Sequence, residues 1–140
     1  MKKAKILISA IAVLMSLTLL LSGCGVSEFV VDNADDGTVG IIALKAGAGS
    51  GGLGYVTVED GEKLHVDAAL TKKSGIKMSV VSAEYLSDAD YVNGVKDAEI
   101  IMEDTFSGEI ENEYDIPAGD YVLRIETISK TSGAMTIYSE

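Results

Sequence analysis

From residue 39 onward the chain alternates apolar and polar positions with a period of two almost everywhere, and 3.6-residue spacing is hard to find. The clearest run is 63–70, where Leu64, Val66, Ala68 and Leu70 share one face while Lys63, His65 and Asp67 share the other. The same parity puts Ile76, Met78 and Val80 inward, and likewise Tyr121, Leu123 and Ile125. Shorter runs lie at 39–46, 55–59, 98–103, 109–115 and 135–138, with an apolar patch at Phe29, Val30 and Val31 that predicts an edge strand. Turn chemistry punctuates them. Asp60-Gly61 separates two alternating runs, a strong hairpin signal because both residues tolerate positive φ. Ile116-Pro117-Ala118-Gly119 fits a four-residue hairpin loop, and Lys130-Thr131-Ser132-Gly133 serves the next reversal. Eight or nine short strands at such spacing predict an all-β domain, a two-sheet antiparallel β-sandwich of jelly-roll-like form, following an N-terminal signal helix.

The N-terminus reads differently. Lys2, Lys3 and Lys5 precede an uncharged apolar run at 6–21, then Ser22, Gly23 and Cys24, which is the charged, apolar and small-residue order of a signal peptide. The run has 16 residues, short of the roughly 20 needed to span a bilayer. Leu21-Ser22-Gly23-Cys24 resembles the lipobox of bacterial lipoprotein signal peptides, and the only Cys of the chain sits at that junction. That resemblance implies a diacylglyceryl group on Cys24, cleavage before it, and a mature chain of 117 residues at the extracytoplasmic face of the cell membrane. Two acyl chains suffice for stable anchoring where one is marginal. Gly25 stands where, in the families resembled, an Asp often signals retention at an inner membrane. The expected organisation is signal peptide at 1–23, lipidated tether with an edge strand at 24–37, and sandwich at 38–140.

Charge narrows the partners. The 140 residues hold 11 basic and 22 acidic side chains, a formal net charge of −11. Loss of Lys2, Lys3 and Lys5 with the signal leaves eight basic against 22 acidic, or −14. Such a surface repels a phosphate backbone and makes anionic lipid or wall polymer unattractive, so nucleic acid is excluded as a partner. With Cys24 acylated no thiol remains for a disulfide, for cysteine catalysis or for a His/Cys metal site, and two packed sheets are the economical way to bury the inward faces.

The segment Gly119-Asp120-Tyr121-Val122-Leu123-Arg124-Ile125, followed by Ser132-Gly133-Ala134-Met135-Thr136-Ile137, resembles the closing hairpin of many secreted bacterial β-sandwich modules. With the lipobox and the Gly-rich approach to residues 54–58, the chain is similar to the small uncharacterised lipoproteins common in Gram-positive anaerobes. That family implies no catalytic residues.

Candidate chemistry is sparse. Gly47-Ala48-Gly49-Ser50-Gly51-Gly52 matches the letter of a dinucleotide fingerprint, but a strand follows where the motif needs a helix, so it reads as a flexible Gly/Ser hairpin loop. The polar stretch 82–96 is long for a compact domain, and such loops are more often functional than accidental. It carries Tyr85 and Tyr91, candidates for glycan or peptide contact, with Tyr138 also available. Asp88 and Asp90, with Glu99 eleven residues after Asp88, echo a calcium loop, with Val92 at its fifth position and Asn93 where it requires Gly. Glu109, Glu111 and Glu113, continued by Asp115, would form a row about 6.8 Å apart along a strand. The hairpin loop at 116–119 would set Arg124 opposite Glu111, Tyr114 opposite Tyr121 and Ile110 opposite Ile125. That row is either a solvated face or a docking stripe for a basic partner or cations. His65, the sole His, is expected to be an exposed polar residue beside Asp67. These residues predict a monomeric, noncatalytic binding or scaffolding module whose partner is a protein or glycan. The alternatives are a carbohydrate-binding or calcium-dependent adhesion domain and, less well supported, a small hydrolase.

Overall fold

The computed structural model describes residues 27–83 and 100–140. Alternation becomes nine strands: β1 (Glu28–Asn33), β2 (Val39–Ala46), β3 (Gly51–Val58), β4 (Leu64–Leu70), β5 (Ile76–Ser82), β6 (Ile100–Phe106), β7 (Glu109–Tyr114), β8 (Gly119–Thr127) and β9 (Thr131–Ser139). They form two sheets, a five-stranded one in the order β1-β2-β9-β4-β7 and a four-stranded one in the order β3-β8-β5-β6. Every pairing is antiparallel. Only the β1–β2 and β5–β6 connections stay within a sheet, and the other six cross between layers, which is the jelly-roll arrangement. Inward parity matches the sequence reading: Leu64, Val66, Ala68, Leu70, Ile76, Met78, Val80, Tyr121, Leu123 and Ile125 are all buried. Val39, Ile41, Met135 and Ile137 complete the core from the larger sheet, with Val56, Val58 and Phe106 from the smaller. Gly133 lets β9 run close to β4. Its φ is +141°, and an added Cβ would meet the Ala69 carbonyl and the Leu70 backbone.

The turns reverse the chain as expected, yet they do not join neighbouring strands. Glu62 donates its N–H to the Glu59 carbonyl at 3.1 Å across Asp60-Gly61, but the flanking β3 and β4 enter different sheets. The loop after β7 likewise carries the chain across, so β7 pairs with β4 rather than β8. The expected register therefore fails: Glu111 lies opposite Asp67, Tyr114 opposite Leu64, and Ile110 opposite Ala68. Arg124 faces Leu53 on one side and Ser79 on the other. Turn chemistry is local and specifies a reversal, whereas sheet membership depends on where each inward face finds apolar cover. The Tyr121 hydroxyl donates to the Pro117 carbonyl and pins this crossing.

Two further turns are corrected in the same way. Thr131 to Gly133 already belong to β9, with Thr131 fully buried and its hydroxyl donating to the Gly75 carbonyl at 3.2 Å. The 47–52 segment is a crossing from β2 to β3, and Gly51 and Gly52 belong to β3. Thr127 fastens that crossing: its Oγ1 donates to the Gly47 carbonyl at 2.6 Å and accepts from the Ser50 N–H at 3.0 Å.

Both open sides of the sandwich are closed by side chains. Asn33, at the end of β1, donates Nδ2–H to the Leu53 carbonyl at 3.2 Å and accepts the Tyr55 N–H at 2.9 Å, so one carboxamide caps two backbone groups of the edge strand β3. At the opposite side the Tyr114 hydroxyl of β7 donates to Asp104 Oδ2 of β6 at 2.6 Å.

Candidate functional site

Cys24, Tyr85, Asp88, Asp90, Tyr91 and Glu99 lie outside the described residues, and so does most of the long loop that was expected to bind. What the fold does show is a cleft of about 460 Å³ where the β1–β2 turn, the β3–β4 turn, the start of β8 and the end of β9 meet. Ala83, the last described residue before that loop, lines it.

The polar part of the lining is carboxylate and hydroxyl: Asp36, Glu59, Glu62 and Asp120, with Thr57 and Ser139. Several of these are set in place by local bonds. Asp36 Oδ1 accepts the Thr38 N–H at 3.0 Å, an Asx arrangement that tightens the turn at Gly37, whose φ is +86°. Glu62 Oε2 accepts the Ser139 hydroxyl at 2.7 Å and the Glu59 N–H at 3.1 Å, tying the β3–β4 turn to the end of β9. These two donors, the serine first, hold the Glu62 carboxyl below its usual range. The Thr57 hydroxyl donates to Asp120 Oδ1 at 2.6 Å across β3 and β8.

Tyrosines supply the rest. Tyr55 is 48% exposed, Tyr121 is buried, and Tyr138 stacks on His65 with ring centroids 4.9 Å apart and planes 7° from parallel. Burial, followed by the charge and hydrogen bond of Asp67, pushes the Tyr138 hydroxyl up to about 12. That hydroxyl donates to Asp67 Oδ2 at 3.2 Å. Among the described residues, no Lys, Arg or His lines the cleft. The arrangement accepts hydrogen bonds, offers aromatic surface and repels anions.

The acidic row is present, on the outer face of the five-stranded sheet, with Glu109, Glu111 and Glu113 all exposed. Its cationic partner is not Arg124. Lys63 Nζ lies 3.7 Å from Glu113 Oε2, and His65 Nδ1 lies 3.9 Å from Glu113 Oε1. His65 is also less exposed than expected, its side chain retaining 12% of its surface beneath Tyr138 and Glu113. Sequence reasoning missed Asp36, Glu59, Glu62, Asp120 and Tyr55. The only available signals were the Asp36-Gly37 and Asp60-Gly61 turns, read as punctuation.

No family model and no curated protein sequence matches the chain. A solved structure described as "CBM4 structure and function", a carbohydrate-binding module, is similar over 81% of this chain and 76% of its own, at 12% identity and a TM-score of 0.41. That likeness carries no argument about the ligand of this chain, whose architecture stands on its own strand order.

Proposed function

We propose that the chain is a noncatalytic binding module, displayed on the extracytoplasmic face of the cell membrane by a lipidated Cys24, that takes a neutral or cationic ligand into the cleft at the end of the sandwich. The observation that supports it is a concave site whose carboxylates are already oriented by their own hydrogen bonds and which holds no basic side chain among the described residues. Oriented acceptors lose little entropy when a ligand arrives, and buried donors on that ligand find partners waiting. An anion would be repelled there.

A carbohydrate is the second reading, favoured by Tyr55 and Tyr138, whose rings flank acceptors suited to sugar hydroxyls. A glycan array probed with the protein tests both. Binding of neutral glycans, lost in Tyr55→Ala and Tyr138→Ala, supports the carbohydrate reading. Preferential binding of sulfated or uronic glycans, untouched by Asp120→Asn, would remove the cleft as the site.

A further inference from the structure

The outer face of the five-stranded sheet carries a second feature, independent of whether the cleft is occupied. Thr136 on β9 points to that face, because its neighbours Met135 and Ile137 belong to the core. Yet it is 0% exposed and its hydroxyl has no hydrogen-bond partner, the single side chain in that state among the described residues. Register sets Thr136 between Gly40 on β2 and Asp67 on β4, and sets Glu111 of β7 on the far side of Asp67. The next rung holds Ala134 and Ala69, so the floor here is made of small residues.

Two defects share this rung. A buried hydroxyl without a partner has given up water for nothing. Asp67, whose Oδ2 accepts the Tyr138 hydroxyl, and Glu111 stand directly opposite each other on adjacent strands, a like-charge pair. Lys63 is committed one rung along, where it approaches Glu113, and among the described residues no Lys or Arg pairs with Glu109 or Glu111. One chemical group relieves both defects. A primary ammonium carries three N–H donors and one positive charge, enough for the lone pair of Thr136 and for the carboxylates beside it. Strands about 4.8 Å apart put Thr136 and Asp67 within reach of one nitrogen, with Glu111 turning in from the next strand. A sugar hydroxyl would satisfy the threonine but leave the repulsion, and a phosphate would add to it.

We infer that the rung Thr136–Asp67–Glu111 is a recognition site for a primary ammonium, presented as a lysine side chain by a basic protein segment that lies over the acidic face of β4 and β7. Glu109 and Glu113 flank the site along β7 and draw further basic residues of the same segment. The exposed Glu111 carboxylate turns toward the arriving nitrogen, which meets Asp67 beside the bond that residue already accepts from Tyr138.

The test uses the full lipidated chain in micelles of neutral headgroup, titrated with a trilysine peptide and with the same peptide acetylated at every Nε, followed by calorimetry and by thermal melting. Trilysine should bind, more weakly as salt rises, and the acetylated peptide should not. Glu111→Gln, a surface change that leaves the fold intact, should weaken binding about tenfold, the scale of one lost charge-assisted hydrogen bond. Thr136→Val should weaken binding by a similar factor while raising the melting temperature, because it removes the unpartnered hydroxyl at nearly constant shape. Unchanged affinity in Thr136→Val would overturn the inference. Equal binding of the acetylated peptide, or capture of a neutral oligosaccharide at this face in place of trilysine, would do the same.

Discussion

Two tyrosines make the stability of this protein depend on alkaline pH. Tyr114 donates its hydroxyl to Asp104 and is pushed up to about 12, first by burial and then by that bond. Tyr138, donating to Asp67, reaches about 12 for the same two kinds of reason. Because both folded values stand above the ordinary 10.0, the unfolded chain loses these protons first. The stabilisation is complete below pH 10 and is lost as pH rises toward about 12. Glu62 and Glu103 work in the opposite sense. Hydroxyl donors, Ser139 for Glu62 and Ser79 for Glu103, hold them low, so their contribution is present above the ordinary carboxylate range and fades as pH falls through the folded values. Urea midpoints measured from pH 9 to 12 should fall in the wild type. The fall should be shallower in the Tyr114→Phe, Tyr138→Phe double variant, which starts from a lower midpoint because each lost hydroxyl bond contributes about 1 kcal/mol. Parallel curves would show that the two hydroxyls are not the titrating groups.

At the scale of elements, the weakness of a sandwich is its edges, and β3 is one of them. Asn33 covers that edge with both ends of its carboxamide, accepting from Tyr55 and donating to Leu53, so β1 closes the side of the fold without joining the smaller sheet. Asn33→Ala exposes both groups. It should lower stability by about 1 to 2 kcal/mol in denaturant unfolding and promote association through β3, seen as a growing large species in light scattering. Asn33→Asp keeps the acceptor for Tyr55 and lacks the donor for Leu53, so its loss should be intermediate.

None of this clasp is legible in the sequence, where Asn33 looks like one more polar residue in the turn-rich stretch that ends at Gly37. Parity was legible, because Leu64, Val66 and Ala68 must share a face whatever strand lies beside them. Partnership was not. The 116–119 loop has the residues of a hairpin whether β8 lies next to β7 or across the core from it, and only the burial of both inward faces decides between them. The pairing of Glu111 with Asp67 instead of Arg124 follows from that choice alone.

At the scale of the whole molecule, two of the six crossings, β3–β4 and β7–β8, meet the β1–β2 turn at one end of the sandwich, which is how Asp36, Glu62 and Asp120 come to line one cleft. A pattern search along the chain sees each carboxylate inside its own turn and has no term for this convergence. The sum of charge, by contrast, was readable at once and bears on how the protein meets a membrane. With eight basic and 22 acidic residues, the chain from Cys24 onward carries −14. At a surface potential of about −30 mV every such charge opposes approach to an anionic leaflet. In the proposed anchored form, attachment would come from acyl chains, each buried methylene contributing about 0.8 kcal/mol, enough over two chains to outweigh the repulsion. A chain beginning at residue 24 and carrying Cys24→Ser should therefore remain in solution with neutral and with anionic vesicles alike, even at 10 mM salt, while the proposed lipidated form floats with both. Flotation through a sucrose gradient separates the outcomes. If the unlipidated variant floated with anionic vesicles at low salt, a basic patch rather than a lipid would be making the contact, and the anchor assigned to Cys24 would lose its physical basis.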